Sequence, residues 1–122
     1  MTADALAPGF EKLRAAAVGL PETTEDSWYG TPSLKVRGKG FCRVKDADTV
    51  VVMCEMDEKE MLMAAAPGIY FETPHYFGWP AVLVRIHEID ADELRSRLDR
   101  AWTLKAPKKL VEARRATVRA DQ

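Results

Sequence analysis

Cysteine is scarce in this 122-residue chain, with only Cys42 and Cys54 present. Neither belongs to a closely spaced cysteine or histidine pair of the kind that builds a zinc site, and each lies inside an apolar, strand-like run. The expectation is two free thiols used as small packing groups, in keeping with a reducing cytosol. Histidine is scarcer in effect: His75 and His87 stand twelve residues apart, too far to form a pair at helical spacing. Glu88 and Asp90 flank a helix start, where capping accounts for them, so no metal and no cofactor is expected. Long hydrophobic runs are absent, and nothing approaches the ~18 apolar residues that cross a bilayer. Residues 1–18 carry Asp4, Glu11, Lys12 and Arg14 and lack the layout of a signal peptide, which makes the cytoplasm the expected compartment and a membrane an unexpected partner. Charge of one sign is missing too, the net value being −1. No overall field draws the molecule toward nucleic acid or acidic lipid.

The motifs of catalysis are equally thin. Gly38-Lys39-Gly40 is too short for a phosphate-binding loop and joins two strands. Ser27 and Ser33 lack the glycines of a nucleophile elbow. Cys42 or Cys54 can be paired on paper with His75 or His87, but strand-interior cysteines are inert packing groups. The reading is therefore of a protein that is not an enzyme.

What is present is a well-punctuated α+β pattern. At 47% hydrophobic and 30% charged, the chain has the composition of one folded domain spanning residues 1–122. A helix is expected over Pro8–Val18, with proline in its first turn and Phe10, Leu13 and Ala17 on one face, closed by Gly19. Glu22–Trp28 is β-compatible and ends in Tyr29-Gly30-Thr31-Pro32. Ser33–Arg37 and Phe41–Lys45 alternate apolar and basic residues around Gly38-Lys39-Gly40, which reads as a hairpin turning at Lys39. That register sets Leu34 against Val44, Val36 against Cys42 and Lys35 against Arg43. Thr49–Cys54 is a buried strand, and Asp57 with Glu60 forms a capping box for a helix through Met61, Leu62 and Ala65. Strands at Ile69–Glu72 and Ala81–Arg85 flank the aromatic loop Thr73–Pro80. Asp90 and Glu93 cap a helix with Leu94, Leu98, Ala101 and Trp102 on one face, and a last helix spans Pro107–Arg119. The order predicts a mostly antiparallel sheet with helices packed on one side.

Two features carry functional expectations. The first is the basic ribbon: Lys35, Arg37, Lys39, Arg43 and Lys45 fall in a stretch with no acid. A two-stranded ribbon with a basic face can ride a phosphate backbone, giving weak, non-specific nucleic-acid binding. Residues 103–122 add six basic residues against two acids. The second is aromatic. Trp28 beside Tyr29, and the His75-Tyr76-Phe77-Gly78-Trp79-Pro80 loop, supply the walls of a pocket for a small ligand or peptide, with His75 and Tyr76 as polar anchors beside Trp28 and Trp79.

Several strings together mark a family. Gly19-Leu20-Pro21-Glu22, Trp28-Tyr29-Gly30-Thr31-Pro32, Val36-Arg37-Gly38-Lys39-Gly40-Phe41-Cys42, His75-Tyr76-Phe77-Gly78-Trp79-Pro80, Ala101-Trp102 and Ala106-Pro107-Lys108 occur in this order. Over residues 8–112 the chain resembles the MmcQ/YjbR-like family, small bacterial proteins catalogued as a domain of unknown function. The resemblance implies an α+β domain akin to the type III secretion chaperone-like class. Family members are often labelled DNA-binding for a proposed double-wing arrangement, whose wing corresponds here to Ser33–Lys45. The resemblance brings no established catalytic residues with it.

Overall fold

The computed structural model describes residues 3–120. Its elements run α1 (Ala3–Ala16), β1 (Thr23–Trp28), β2 (Thr31–Val36), β3 (Lys39–Val44), β4 (Thr49–Met53), α2 (Met56–Ala65), β5 (Tyr70–Phe71), β6 (Ala81–Arg85), α3 (Ala91–Lys105) and α4 (Lys108–Ala120). The strands make one six-stranded sheet in the order β1-β2-β3-β4-β6-β5, with every neighbouring pair antiparallel. This is the α+β architecture the sequence predicts. No helix among the described residues is long and apolar enough to cross a membrane.

Alternation along the strands gives the sheet two unlike faces. Leu34, Val36, Cys42, Val44, Val50, Val52, Val82 and Val84 point to one side and are buried there. Helices α1 and α3 cover that side, contributing Leu6, Phe10 and Leu13 from one and Leu94, Leu98, Ala101 and Trp102 from the other. Trp102 is fully buried, and its indole N–H donates to the Pro21 carbonyl at 3.0 Å, so the large ring enters the core without stranding its polar atom. Helix α2 sits at the β5–β6 edge. Glu58 ties it to α3 by accepting from Arg97 at 2.9 Å and from Arg100 at 2.7 Å.

Three local expectations need correction. The hairpin turns at Arg37-Gly38, not at Lys39, with φ of 50° and 82° at these two residues. Positive φ at both central positions is the two-residue turn whose twist matches the flanking strands, and glycine supplies the second without strain. The register is therefore Ser33 with Arg43, Leu34 with Cys42 and Lys35 with Gly40, with an irregularity between Leu34 and Lys35 that lets both Phe41 and Cys42 be buried. Lys35 does not face Arg43. Helix α2 begins one residue before Asp57, its N-cap is Glu55, and no side chain caps it, so the Asp57–Glu60 box does not form. Burying Glu58 and Lys59 sets the phase of this helix instead. Helix α1 starts upstream of Pro8, which lies inside it. The Asp90 cap does form, its carboxylate accepting from the Glu93 N–H at 2.8 Å.

Candidate functional site

On the face of the sheet opposite α1 and α3 lies a cleft of about 380 Å³ lined by Trp28, Tyr29, Arg43, Val51, Met53, His75, Tyr76, Trp79 and Ala81. Its floor is the sheet itself: the β3–β4 and β4–β6 registers set Arg43 beside Val51 and Met53 beside Ala81. Its walls are two loops far apart in sequence. Trp28 ends β1, and Tyr29-Gly30 makes the two-residue turn into β2 with φ of 55° and 78°. A tyrosine in the left-handed region is a backbone outlier for so bulky a residue. Tyr29 is 70% exposed, stacks on Trp28 at 5.8 Å between centroids, and has the Arg43 guanidinium 5.2 Å from its ring centre.

The opposite wall is the 72–80 segment, which makes a single 3-10 turn over Pro74–Tyr76. A lysine holds it in place. Lys59, 1% exposed, donates to the Tyr76 carbonyl at 2.7 Å and the Trp79 carbonyl at 3.0 Å, and pairs with Glu72 at 2.8 Å. Three donors thus meet three acceptors, the condition under which a buried ammonium is tolerated. The wall presents Tyr76, whose hydroxyl accepts from Arg43 Nη2 at 2.8 Å, and the nearly parallel rings of His75 and Trp79, 19° apart in plane. His75 and Trp79 are exposed at the rim, while Val51, Met53, Tyr76 and Ala81 are buried beneath.

One glycine makes room for this arrangement. Gly40 has ordinary φ, yet a Cβ there would lie 2.5 Å from the Trp28 ring. The indole therefore rests directly on the β3 backbone, a close approach that only glycine permits.

All four residues expected to bind a ligand, Trp28, His75, Tyr76 and Trp79, line this one cleft. The five of the basic ribbon are dispersed. Lys35 pairs with Asp26 at 3.2 Å, Arg37 with Glu22, and Lys45 with Asp46 at 3.7 Å. Arg43 turns into the cleft, leaving Lys39 as the one member of the ribbon with neither an ion-pair nor a cleft partner among the described residues. Arg114 of α4 is held by both oxygens of Asp99, at 3.0 and 2.8 Å, and packs on Trp102. His87 bonds to Lys12 Nζ and the Ala47 carbonyl, each at 3.0 Å, away from His75. The cysteines face no histidine partner in the hydrogen-bond network; burial pushes the Cys42 thiol well up and that of Cys54 up to about 11, with Glu58 adding to the latter. Both are protonated and poorly nucleophilic at neutral pH. Gly40 and Lys59 are site residues that the sequence did not mark, and Arg43 was marked for the basic ribbon and not for the cleft.

The YjbR family model matches residues 18–104, a span that contains both walls of the cleft, its floor and Lys59. The chain belongs to the YjbR family. Similar proteins include uncharacterised proteins of Mycobacterium bovis and Mycobacterium tuberculosis, each 51% identical over 55 residues. The matched stretch covers 45% of this chain and 43% of each relative, so the alignment spans less than half the length of the curated proteins it matches. No solved structure gives a significant match.

Proposed function

We propose that this YjbR domain is a non-enzymatic binding module whose ligand site is the aromatic cleft between the Trp28–Tyr29 turn and the His75–Trp79 segment. The observation that carries the reading is the convergence of four aromatic side chains and His75, from two remote loops, on one cleft of about 380 Å³ with an apolar floor. That volume and lining, apolar with a few placed polar groups, suit a small organic molecule. Tyr29 at 70% exposure and Trp79 at 47% add a reason, since large rings held in water at a pocket mouth are a cost without a partner. The backbone strain at Tyr29 is of the kind found at ligand clamps. Among the described lining residues there is no carboxylate, serine or cysteine, which favours binding over hydrolysis or transfer.

Nucleic-acid binding by the ribbon has less support, because Glu22, Asp26 and Asp46 neutralise three of its five charges and Arg43 is engaged in the cleft. The test is a titration of a fragment library followed by protein NMR. Aromatic fragments are expected to move the indole N–H signals of Trp28 and Trp79 and leave buried Trp102 in place. A library that moves neither would overturn the reading. A labelled duplex should show no salt-sensitive binding near physiological ionic strength; binding abolished by Lys35→Glu with Lys39→Glu would transfer the function to the ribbon.

A further inference from the structure

The cleft has a charge as well as a shape. Six arginines, at positions 14, 37, 95, 97, 100 and 114, each hold a carboxylate. Two of them do so side-on, through Nε and Nη2 together: Arg14 on Glu25 and Arg37 on Glu22. Arg43 is half-buried and has no carboxylate partner among the described residues. Its Nη1 donates to Thr31 Oγ1 at 3.1 Å and the Val44 carbonyl at 3.4 Å, and its Nη2 to the Tyr76 hydroxyl at 2.8 Å. A guanidinium carries five N–H donors. Those three bonds leave Nε–H and one Nη2–H without an acceptor among the described residues, on the same pair of nitrogens that Arg14 and Arg37 offer to carboxylates.

A half-buried cation lacking a counter-charge, facing a cleft with no acid among its described lining residues, offers a place for an anion from outside. One fixed charge matches one negative charge, and the planar fork matches a carboxylate in two parallel hydrogen bonds. The rings of Trp28, Tyr29 and Trp79 supply flat apolar surface around it, and the cleft volume fits a ligand of one or two fused rings. Resting on the reading of the cleft as a ligand site, we propose that it takes a planar aromatic monocarboxylate. The ring lies against the Trp28 and His75–Trp79 walls, and the carboxylate sits on the Nε and Nη2 edge of Arg43.

The experiment compares naphthalene-2-carboxylate, naphthalene-2-carboxamide and cyclohexanecarboxylate by calorimetry, with the Trp28 and Trp79 indole signals reporting the place of binding. The acid is expected to bind at least about tenfold tighter than its amide, since a hydrogen bond to a charged group is worth that much. The cyclohexane acid should be weaker than the naphthalene acid by a similar factor. Arg43→Met should bring the acid-to-amide ratio to about one, whereas Arg43→Lys, keeping the charge but losing the fork, should leave it between one and the native value. This ratio is unmoved by a general loosening of the fold. Equal binding of acid and amide at the indoles overturns the anion assignment while leaving the cleft as a ligand site. Equal binding of the two acids overturns the aromatic assignment in the same way. If none of the three reaches the indoles, the ligand class proposed here is wrong, and the fragment titration decides separately whether the cleft binds anything.

Discussion

Tyr29 and Gly40 illustrate how single residues set the cleft apart from ordinary sheet surface. Tyr29 occupies the left-handed region at φ 55°, where a side chain beyond glycine is strained by about 1 kcal/mol or more. Asparagine tolerates that conformation better. Tyr29→Asn should therefore raise the denaturation midpoint by the equivalent of roughly 0.5–1 kcal/mol. The same change should weaken ligand binding by removing the ring that faces Arg43. A urea titration alongside a ligand titration checks both signs, and a loss of stability would argue that the ring contributes more to the fold than its backbone costs. Gly40→Ala acts oppositely. The added methyl would meet the Trp28 ring at 2.5 Å, so the indole must lift from the strand. A stability loss of about 1–3 kcal/mol is expected, the range for forcing an extra carbon into a packed site. A blue or red shift in the emission of the displaced indole would report the same movement, and unchanged emission with unchanged stability would refute the account.

At the scale of elements, the 72–80 segment depends on helix α2 for its shape. It is a nine-residue excursion with one 3-10 turn, and its backbone acceptors at Tyr76 and Trp79 converge on the buried ammonium of Lys59. Lys59→Met leaves the apolar stem in place but strands Glu72 and two carbonyls. Removing the buried member of this partly exposed pair and leaving two carbonyls without their donor costs about 2 kcal/mol or more. The loss should concentrate in this segment, so hydrogen exchange at Tyr76 and Trp79 should accelerate more than exchange in β3 or β4. Uniform acceleration would place the role of Lys59 in the core at large. Hairpin β2–β3 shows the complementary case, where local chemistry rules. Arg37-Gly38 takes the two-residue turn, and the displaced register separates Lys35 from Arg43, sending the first to Asp26 and the second into the cleft. Alternation made the ribbon legible as two strands. The partner of each charge was not legible, because a register shift of one residue reassigns every cross-strand pair.

For the molecule as a whole, acid sensitivity follows from the surface pairs around the β1–β3 ribbon. The Arg37 hydrogen bond holds the Glu22 carboxyl below its ordinary 4.5, and the Arg14 hydrogen bond does the same for Glu25. The Ser27 N–H, then Lys35, lower Asp26 from 3.8. Groups lowered in the folded state contribute stability in full above their unfolded values and lose it as pH falls through the folded ones. The melting temperature should hold steady from about pH 6 to 8 and fall on acidification below about 4.5, less steeply in high salt, which screens exposed pairs. A melting temperature that rises on acidification would contradict this. The sequence by itself determined the elements and the two-faced sheet, because periodicity and turn residues act over a few neighbours: Asp90 caps α3, and Leu94, Leu98 and Trp102 bury one stripe. It also marked Trp28, His75, Tyr76 and Trp79 as candidates, since large rings beside glycine and proline stand out in any chain. Tertiary structure alone decided that these four meet, that Arg43 points into their cleft and not along the ribbon, and that Gly40 seats one wall and Lys59 fixes the other. Those facts arise from strand register and from contacts between residues 12 to 33 positions distant, such as Trp28 over Gly40 and Arg43 on Tyr76, which no local pattern encodes.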